Sequence, residues 1–166
     1  ILPYKYDKAD KYFSEKLINL SRIPINYSTP IISDKIYTKS DFNKPDNSFL
    51  IGLPHTSFKL HPDFDETLFQ ILLEIPNSYI VIPEGTSQFH KAKLIERWKS
   101  KNDLILNRSI FFPRVSLDHY VSMLKAFDIV LCPFYYGMGN TMFQSMSVGT
   151  PVIAMNDKRI TSLLTE

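Results

Sequence analysis

The stretch "DIVLCPFYYGMGNTMFQSMSVGTPVIAM", residues 128–155, decides the fold class of this chain. It opens and closes on apolar runs, and between them lie three of the chain's five glycines, Gly137, Gly139 and Gly149. Because glycine permits tight turns that other residues resist, the stretch predicts a strand, a loop, a short helix and a second strand. Both runs are apolar at successive positions, which is typical of strands buried on both faces of a parallel sheet.

The same alternation extends back to Ser48. Strand-like runs "SFLIGL", "SYIVIP" and "SIFFPRV" alternate with helical patterns in "DETLFQILLEI", "FHKAKLIERWKSK" and "LDHYVSMLKAF". Together with the two strands and the helix "TMFQSMSV" of the opening stretch, they make five strands and four helices. Such alternation is typical of βαβ units, so we predict an α/β fold, a Rossmann-like parallel sheet with helices on both faces.

The predicted helices have apolar faces and end signals. Asp63 and Glu66 have the spacing of a capping box, Pro76 should end the first helix, and Ser116 is the expected cap of the third. The spacing of apolar residues predicts which positions are buried in the first two helices: Leu68, Ile71, Leu72 and Ile75, then Phe89, Ala92, Ile95 and Trp98.

Residues 1–45 differ from the rest. The apolar residues of "DKADKYFSEKLINL" have helical spacing, and residues 21–47 carry three prolines among many polar residues. We therefore predict a connector, first helical and then extended, ahead of the α/β unit. The helical face is expected at Ala9, Phe13, Leu17 and Leu20.

Composition argues against several classes of protein. A formal net charge of +2 is too small to indicate nucleic-acid binding, and no apolar run approaches the roughly 20 residues of a membrane span. The single cysteine, Cys132, cannot form an intrachain disulfide. Without a signal-peptide pattern at Ile1, we expect a cytoplasmic location. The absence of an initial methionine and the stop just after "ITSLLTE" suggest a piece of a longer protein.

The loop after "DIVLCPF" is the first candidate for a binding site. Ligands of open α/β sheets bind at the carboxyl ends of strands, and a helix N-terminus favours phosphate. Asn140 is the expected N-cap of the following helix, and Gly149 is placed for its C-cap. The alternative is that the glycines only allow the turn between strand and helix and bind nothing. The spacing of Gly137, Gly139 and Asn140 matches neither the dinucleotide fingerprint nor a P-loop.

Two blocks of the sequence resemble the O-linked N-acetylglucosamine transferase family and its bacterial relatives. The first is "FKLHPDFDETLFQILLEIPNSYIVI", residues 58–82, and the second is "NRSIFFPRVSLDHYVSMLKAFDIVLCPFYYGMGNTMFQSMSVGTPVIAM", residues 107–155. Their combined order is Lys-x-x-Pro, an aspartate, Gly-Asn-Thr and Val-Gly-Thr-Pro. The resemblance covers about residues 46–164.

The resemblance implies a two-lobed GT-B glycosyltransferase. Residues 46–166 would be the nucleotide-sugar-binding C-terminal lobe, truncated at its end, and residues 1–45 the connector or the tail of the N-terminal lobe. The expected partners are a UDP-sugar donor carrying N-acetylglucosamine or glucose, a protein or glycan acceptor, and the missing N-terminal lobe. Neither a metal nor a cofactor is expected, and the fragment alone should be inactive.

Roles for individual residues follow from the resemblance. Lys59 is expected to contact the leaving diphosphate, whose negative charge grows as the sugar bond breaks. Asn140 and Thr141 match the polar pair at the phosphate-binding helix start. Thr56 and Gly139 are placed among the donor-binding residues. From the residues alone, Lys59 is more simply a solvated lysine at a strand end. Asn140 can be a plain cap, a role compatible with phosphate binding.

The base and ribose of the donor are assigned to two further segments. "PRVSLDHY", residues 113–120, should hold the base through backbone groups and a stacked ring, with Tyr120 nearest the family's stacking histidine. Arg114 and Val115 of this segment are placed among the donor-binding residues, and Arg114 could reach a phosphate. Tyr120 is equally a core residue, and Arg114 equally a solvated one. Gln144 replaces the acidic residue that grips the ribose, which puts donor affinity in doubt, and it fits a polar helix face equally well.

Other interpretations remain open on the sequence. His55, His61, Asp63 and Asp65 invite a metal site, but their spacing is not a recognised ligand pattern. The basic segment "HKAKLIERWKSK" is most simply a solvated helix face. A non-catalytic interaction module with a degenerate nucleotide site, or a lobe of a nucleotide-sugar epimerase, are the alternative functions.

Overall fold

The computed structural model describes residues 11, 13–16, 18, 26–101 and 103–155. Its centre is a five-stranded sheet in the order β3-β2-β1-β4-β5, and every neighbouring pair is parallel. The predicted fold class is thereby confirmed. The strands are β1 (Phe49–Gly52), β2 (Ser78–Pro83), β3 (Ser109–Phe112), β4 (Ile129–Leu131) and β5 (Val152–Ile153).

The four predicted helices are present, and a short fifth one, α3, was not predicted. The short α3 follows α2 after position 102, which lies outside the described residues, and it leads directly into β3. The helices are α1 (Asp63–Glu74), α2 (Gln88–Lys101), α3 (Asp103–Asn107), α4 (Leu117–Leu124) and α5 (Asn140–Ser147).

Helices cover both faces of the sheet, as predicted. Successive strand residues alternate between two hydrophobic cores: Ile80 and Ile82 lie in the core formed with α1, α2 and α3, whereas Val81 lies in the core formed with α4 and α5. Ile51 and Leu50 divide in the same way. Because both faces are dry, the strands need apolar residues at every position, which explains the uninterrupted runs in the sequence.

The predicted apolar face is largely right for α1 and only partly right for α2, where Trp98 is buried as predicted and Ile95 is half-buried. In α1, Leu68 and Leu72 are buried, but Ile75 at the C-cap is 36% exposed. In α2, the buried residues are Leu94 and Trp98, whereas Phe89 is 67% exposed and Ala92 is exposed too. The indole N–H of Trp98 donates to buried Asp65 of α1 at 2.9 Å. This hydrogen bond is part of what orients α2 on the sheet. The spacing of apolar residues along the sequence does not reveal it.

Two helix starts also differ from the prediction. Pro62 is the N-cap of α1 and makes no side-chain cap hydrogen bond, so the expected capping box of Asp63 and Glu66 is wrong. The backbone N–H of Asp63 donates instead to Nδ1 of His61 at 3.3 Å. Ser116 is the N-cap of α4, as predicted, but its hydroxyl donates to the Asp118 carboxylate at 2.5 Å rather than capping a backbone N–H.

The described part of the connector is fixed to the centre of the sheet. Tyr37 and Phe42 are buried in the core formed with α4 and α5. The Lys39 ammonium forms an ion pair with Asp128, whose carboxylate also accepts the Leu50 N–H at 2.6 Å. Asp128 therefore joins the connector, β1 and the start of β4 in one polar contact.

Two sequence predictions fall outside the described residues. The expected helical face of the connector includes Ala9, Leu17 and Leu20, which are not described, and the segment "ITSLLTE" is not described either. Within the described ranges, none of the helices has the length and apolarity that crossing a bilayer demands.

Candidate functional site

The order of the strands creates a crevice at the carboxyl ends of β1 and β4. The chain runs from β1 outward to β2 and β3, and then returns to place β4 on the other side of β1. Ligands of open α/β sheets bind at such a switch point. The loops that follow β1 and β4 meet there, because the Tyr135 hydroxyl donates to Asp63 at 2.8 Å and the rings of Phe58 and Tyr136 lie 6.0 Å apart.

A cavity of about 480 Å³ opens beside this crevice. Its walls come from the loops after β1, β2 and β3 and from the start of α4. Its size falls within the usual range of small-molecule sites, roughly 300–1,000 Å³. Four residues predicted for donor binding line it together: Thr56, Arg114, Val115 and Tyr120.

Tyr120 connects the cavity to the start of α5. Its hydroxyl donates to the carbonyl oxygen of Pro54 at 3.2 Å and shares a hydrogen bond with the Thr141 side chain. Burial raises the pKa of Tyr120, and the bond with Thr141 opposes that shift in part. The ring packs on the core formed with α4 and α5 and lines the cavity, so both interpretations of this tyrosine hold.

His119, the neighbour of Tyr120, contacts the connector rather than the cavity. Its Nε2 lies 3.3 Å from the Ser33 hydroxyl and its Nδ1 lies 3.0 Å from the Tyr37 hydroxyl. Ser33 in turn accepts a hydrogen bond from Ser122 of α4 through its carbonyl oxygen at 3.1 Å. The imidazole thus holds the extended connector against α4.

His55 is a buried histidine that the sequence interpretation did not place in the donor site. It lies in the loop after β1, lines the cavity, and is only 6% exposed. Burial, together with the nearby charge of Lys59, lowers its pKa to about 4, and a hydrogen bond to the backbone of Leu131 opposes the shift. The imidazole is therefore neutral near pH 7, with one N–H and one lone pair.

This burial predicts a pH dependence of stability. Below about pH 6.5 the unfolded chain binds a proton on His55, whereas the folded chain does not until about pH 4, so folding stability falls as the pH drops. We expect the unfolding free energy of the wild type to fall by about 2 kcal/mol relative to His55→Leu between pH 7 and pH 5. Urea titrations at both pH values measure it, and parallel losses in the two proteins would contradict it.

Lys59 lies beside the cavity, in the crevice. The 3₁₀ helix Ser57–Lys59 begins after Thr56, and the Lys59 N–H donates to the Thr56 carbonyl at 2.9 Å. The half-buried side chain places its ammonium 4.5 Å from the centre of the Tyr136 ring. Among the described residues no carboxylate forms an ion pair with it, so its charge is available to an anion.

The start of α5 differs from the prediction by one residue. Gly139 is the N-cap, Asn140 is the first helical residue, and no side chain caps the helix, so the predicted capping role of Asn140 is wrong. The Asn140 amide oxygen accepts a hydrogen bond from the hydroxyl of Tyr27, in the connector. The Tyr27 ring stacks on Phe143 at a centroid distance of 4.4 Å. The connector thus reaches the first turn of α5 and occupies one polar atom there.

The loop and helix end around α5 explain why glycine is concentrated here. Gly137 and Gly149 have φ values of 71° and 83°, in the left-handed region that favours glycine. The N–H of Gly149 donates to Met146 at 3.0 Å and that of Thr150 to Ser145 at 3.0 Å. These two bonds form a Schellman motif, so the predicted role of Gly149 at the helix end is confirmed.

Tyr135 adopts the same left-handed conformation, with φ at 69°, although it is not glycine. Bulky residues in this region are outliers, and they cluster at sites where function requires a fixed geometry. Its ring lies 4.8 Å from that of His61, in the loop after β1. Tyr135 therefore joins the two loops that border the crevice.

The remaining predicted residues lie along α5 or at the cavity mouth. Gln144 is half-buried, about one helical turn after Asn140, and Arg114 is exposed. The structure thus gathers Thr56, Arg114, Val115 and Tyr120 in one cavity. Five others lie outside that wall, and the Tyr120–Thr141 hydrogen bond links the two groups: Lys59, Gly139, Asn140, Thr141 and Gln144.

The metal interpretation finds no support in the geometry. Within the ranges that the structure describes, no three His, Cys, Asp or Glu side chains come together as metal ligands would. Asp65, one member of the proposed set, is buried and pairs with Arg97 of α2 at 2.8 Å.

Sequence reasoning missed the loop after β2. Residues 83–86 line the cavity, and Glu84 within that loop forms an ion pair with Lys91. A signal was available, because Gly85 follows the carboxyl end of a predicted strand, where ligands of such sheets bind. His55 was considered only as a metal ligand, since its burial is not visible in the sequence.

Comparison with solved structures identifies the fold. No family model and no curated protein matches the chain. The structure of a mutant form of the Thermobaculum terrenum O-GlcNAc transferase matches with a TM-score of 0.71 at 18% identity, over 93% of this chain and 30% of that chain. TarM matches at 0.49 and 19% identity, over 80% and 24% of the two chains. The pneumococcal O-GlcNAc transferase GtfA, solved with UDP and GlcNAc, matches at 0.46 and 15%, over 76% and 23%.

The fold assignment rests on the first of these structures. This chain spans about 30% of the length of that transferase, so the likeness describes one part of a larger architecture. Together with the parallel sheet order, it confirms the fold that the sequence resemblance implied. The described residues have the fold of a Rossmann-like lobe of a GT-B glycosyltransferase.

Proposed function

We propose that this chain is the donor-binding half of a glycosyltransferase that moves a sugar, N-acetylglucosamine or glucose, from a UDP-sugar to a protein or glycan acceptor. One observation carries the proposal. The cavity at the carboxyl ends of β1, β2 and β3 is joined through the Tyr120–Thr141 hydrogen bond to the N-terminus of α5. An uncharged nucleoside and a charged diphosphate require two such adjoining environments.

The chemistry of the transfer follows from the two environments. The acceptor oxygen or nitrogen attacks the anomeric carbon, and the bond between that carbon and the β-phosphate oxygen breaks. Its electron pair stays on the diphosphate, which gains negative charge. Lys59 and the backbone N–H groups at the start of α5 would stabilise that charge without a metal ion. The base that receives the acceptor proton would belong to another lobe.

The first test is binding of UDP to the purified chain, measured by calorimetry and by NMR. We expect Lys59→Ala to weaken UDP about tenfold and uridine little, because only UDP carries the diphosphate that the ammonium attracts. Lys93→Ala is the matched control, since Lys93 is an exposed lysine of α2 whose partner is Glu96. The control should leave both affinities unchanged.

Two results would contradict the proposal. Absence of any heat or chemical shift change at millimolar UDP would remove the donor site, and the interaction module would become the better interpretation. Equal losses of UDP and uridine affinity in Lys59→Ala would remove the assigned role of Lys59 while leaving a nucleotide site in place.

A further inference from the structure

His55 is held by a tight turn at the end of β1. Its backbone N–H donates to the carbonyl oxygen of Leu53 at 2.7 Å, the i to i+2 bond of a γ-turn centred on Pro54. The side chain makes its hydrogen bond to the backbone of Leu131, the last residue of β4. The imidazole is therefore fixed at the switch point of the sheet, between the two strands whose loops form the crevice.

Of the two ring nitrogens of His55, one has a hydrogen-bond partner and the other has none among the described residues. The hydrogen bond to Leu131 favours the protonated ring, so the ring donates that bond to a carbonyl oxygen. Nε2 is buried and has no partner among the described residues, which leaves Nδ1 as the donor. In the neutral imidazole Nε2 then carries a lone pair and accepts hydrogen bonds only.

An unpaired buried acceptor is costly and uncommon in folded proteins. His55 lines the cavity, so the missing partner can be a group of the ligand. Nε2 has almost no accessible surface, so a ligand group reaches it only when the side chains around it shift on binding, and a hydrogen bond made there is then shielded from solvent.

The cavity indicates what kind of group that is. Among the described residues that line it, Arg114 is the one cation and is exposed, and Glu84 is the one carboxylate, already paired with Lys91. A cavity with so few charged groups suits the uncharged part of a nucleotide. The diphosphate of a nucleotide sugar is fully ionised near pH 7, so its oxygens have no proton to donate to Nε2 of His55. A hydroxyl or an N–H group has one.

We propose that Nε2 of His55 accepts a hydrogen bond from an uncharged donor group of the nucleoside, a ribose hydroxyl or the imide N–H of the base, and thereby helps to select the nucleotide. This proposal rests on the proposed function. His55 has no part in the chemistry of transfer; it determines specificity at the nucleoside end of the site.

The test compares His55→Leu with the wild type. Leucine has a side chain of similar size to histidine and removes the hydrogen-bond acceptor. We expect the affinities for uridine and for UDP to fall by the same factor, about tenfold, and the affinity for pyrophosphate to stay unchanged. The melting temperature measures the structural effect separately, because leucine removes the unpaired Nε2 and also the hydrogen bond to Leu131. Unchanged uridine affinity would overturn the proposal.

Two analogues distinguish the sources of the donated proton. 2′,3′-Dideoxyuridine lacks both secondary ribose hydroxyls and N3-methyluridine lacks the imide N–H. The analogue that lacks the bonded group should bind the wild type and His55→Leu equally. If both analogues still lose tenfold on the substitution, neither group is the donor and the proposal fails.

A measurement on the wild type covers a variant that does not fold. With ¹⁵N-labelled histidine, the Nε2 resonance of His55 should move on addition of uridine and stay in place with pyrophosphate; the opposite pattern overturns the proposal. Calorimetry of UDP binding in two buffers of different ionisation enthalpy should show no proton uptake. Uptake of a proton that His55→Leu abolishes would mean that a cationic His55 pairs with phosphate, which also overturns it.

The failure of this inference differs from failure of the proposed function. If the wild type binds neither UDP nor uridine, both are overturned. If the wild type binds UDP and His55→Leu binds it equally well, the donor site stands and only the role of His55 is lost.

Discussion

Replacement of Asp65 by alanine is expected to lower the free energy of unfolding by about 3–5 kcal/mol. The Asp65 carboxylate is only 4% exposed. One of its oxygens accepts hydrogen bonds from Arg97 at 2.8 Å and from the Trp98 indole at 2.9 Å, while the other lies 3.5 Å from the Lys101 ammonium. Alanine would leave a half-buried guanidinium and a buried indole N–H without this acceptor.

Chemical denaturation of three variants would measure this loss. Asp65→Asn keeps an oxygen for Trp98 and removes only the charge, so it should lose less than Asp65→Ala. Glu66→Ala is the matched control, because Glu66 is the exposed neighbour on α1 and its partner is Gln70 one turn away. Its loss should stay within about 0.5 kcal/mol. A loss under 1 kcal/mol for Asp65→Ala would mean that α2 is positioned by apolar packing alone.

Replacement of Gly52 by valine should cost about 3 kcal/mol or more, because the strand end has no room for a side chain. A Cβ atom at Gly52 would lie 2.3 Å from Cδ2 of Phe127 and 3.0 Å from a methyl of Val130. Phe127 is 3% exposed and lies in the core formed with α4 and α5, so its ring cannot swing into solvent. Gly52 is also the last residue of β1, which means that any shift passes into the loop that carries His55 and Lys59.

A double-mutant cycle tests this cause. Phe127→Ala vacates the space that the new side chain needs, so adding Gly52→Val to Phe127→Ala should cost far less than adding it to the wild type. Gly85→Ala is the control, since its Cβ would meet only a Thr56 methyl at 3.7 Å, an ordinary contact. Additive losses in the cycle would show that the ring is not what excludes a side chain at Gly52.

The sequence predicted the sheet well because parallel strands buried on both faces appear in the sequence as uninterrupted apolar runs. "SYIVIP" coincides with β2, and all five apolar runs contain their strands. The alternation of Ile80, Val81 and Ile82 between two dry cores requires such runs. The face of α2 could not be predicted in the same way. Its rotation involves a contact from Trp98 to Asp65, 33 positions earlier in the chain, and no local pattern reports such a partner.

For the candidate site, the sequence predicted which loops contribute residues, but it did not predict which of those residues are buried. Arg114, Val115 and Tyr120 were assigned to one segment, and the structure places all three on one cavity. The assignment of their roles remains a prediction. Asn140 looked like a cap, but its side-chain oxygen bonds to Tyr27, 113 positions away. His55 was considered only as a metal ligand, because the sequence does not reveal that its side chain is buried.

The pairing of β1 with β4 has a consequence for how the chain folds during synthesis. Leu50 and Asp128 are 78 positions apart, yet they exchange hydrogen bonds across the middle of the sheet. Until β4 leaves the ribosome, β1 has an open hydrogen-bonding edge lined by apolar side chains, which is the kind of surface that nucleates aggregation. Chains that stall before residue 129 should therefore depend on chaperones, whereas chains that stall after β5 should not.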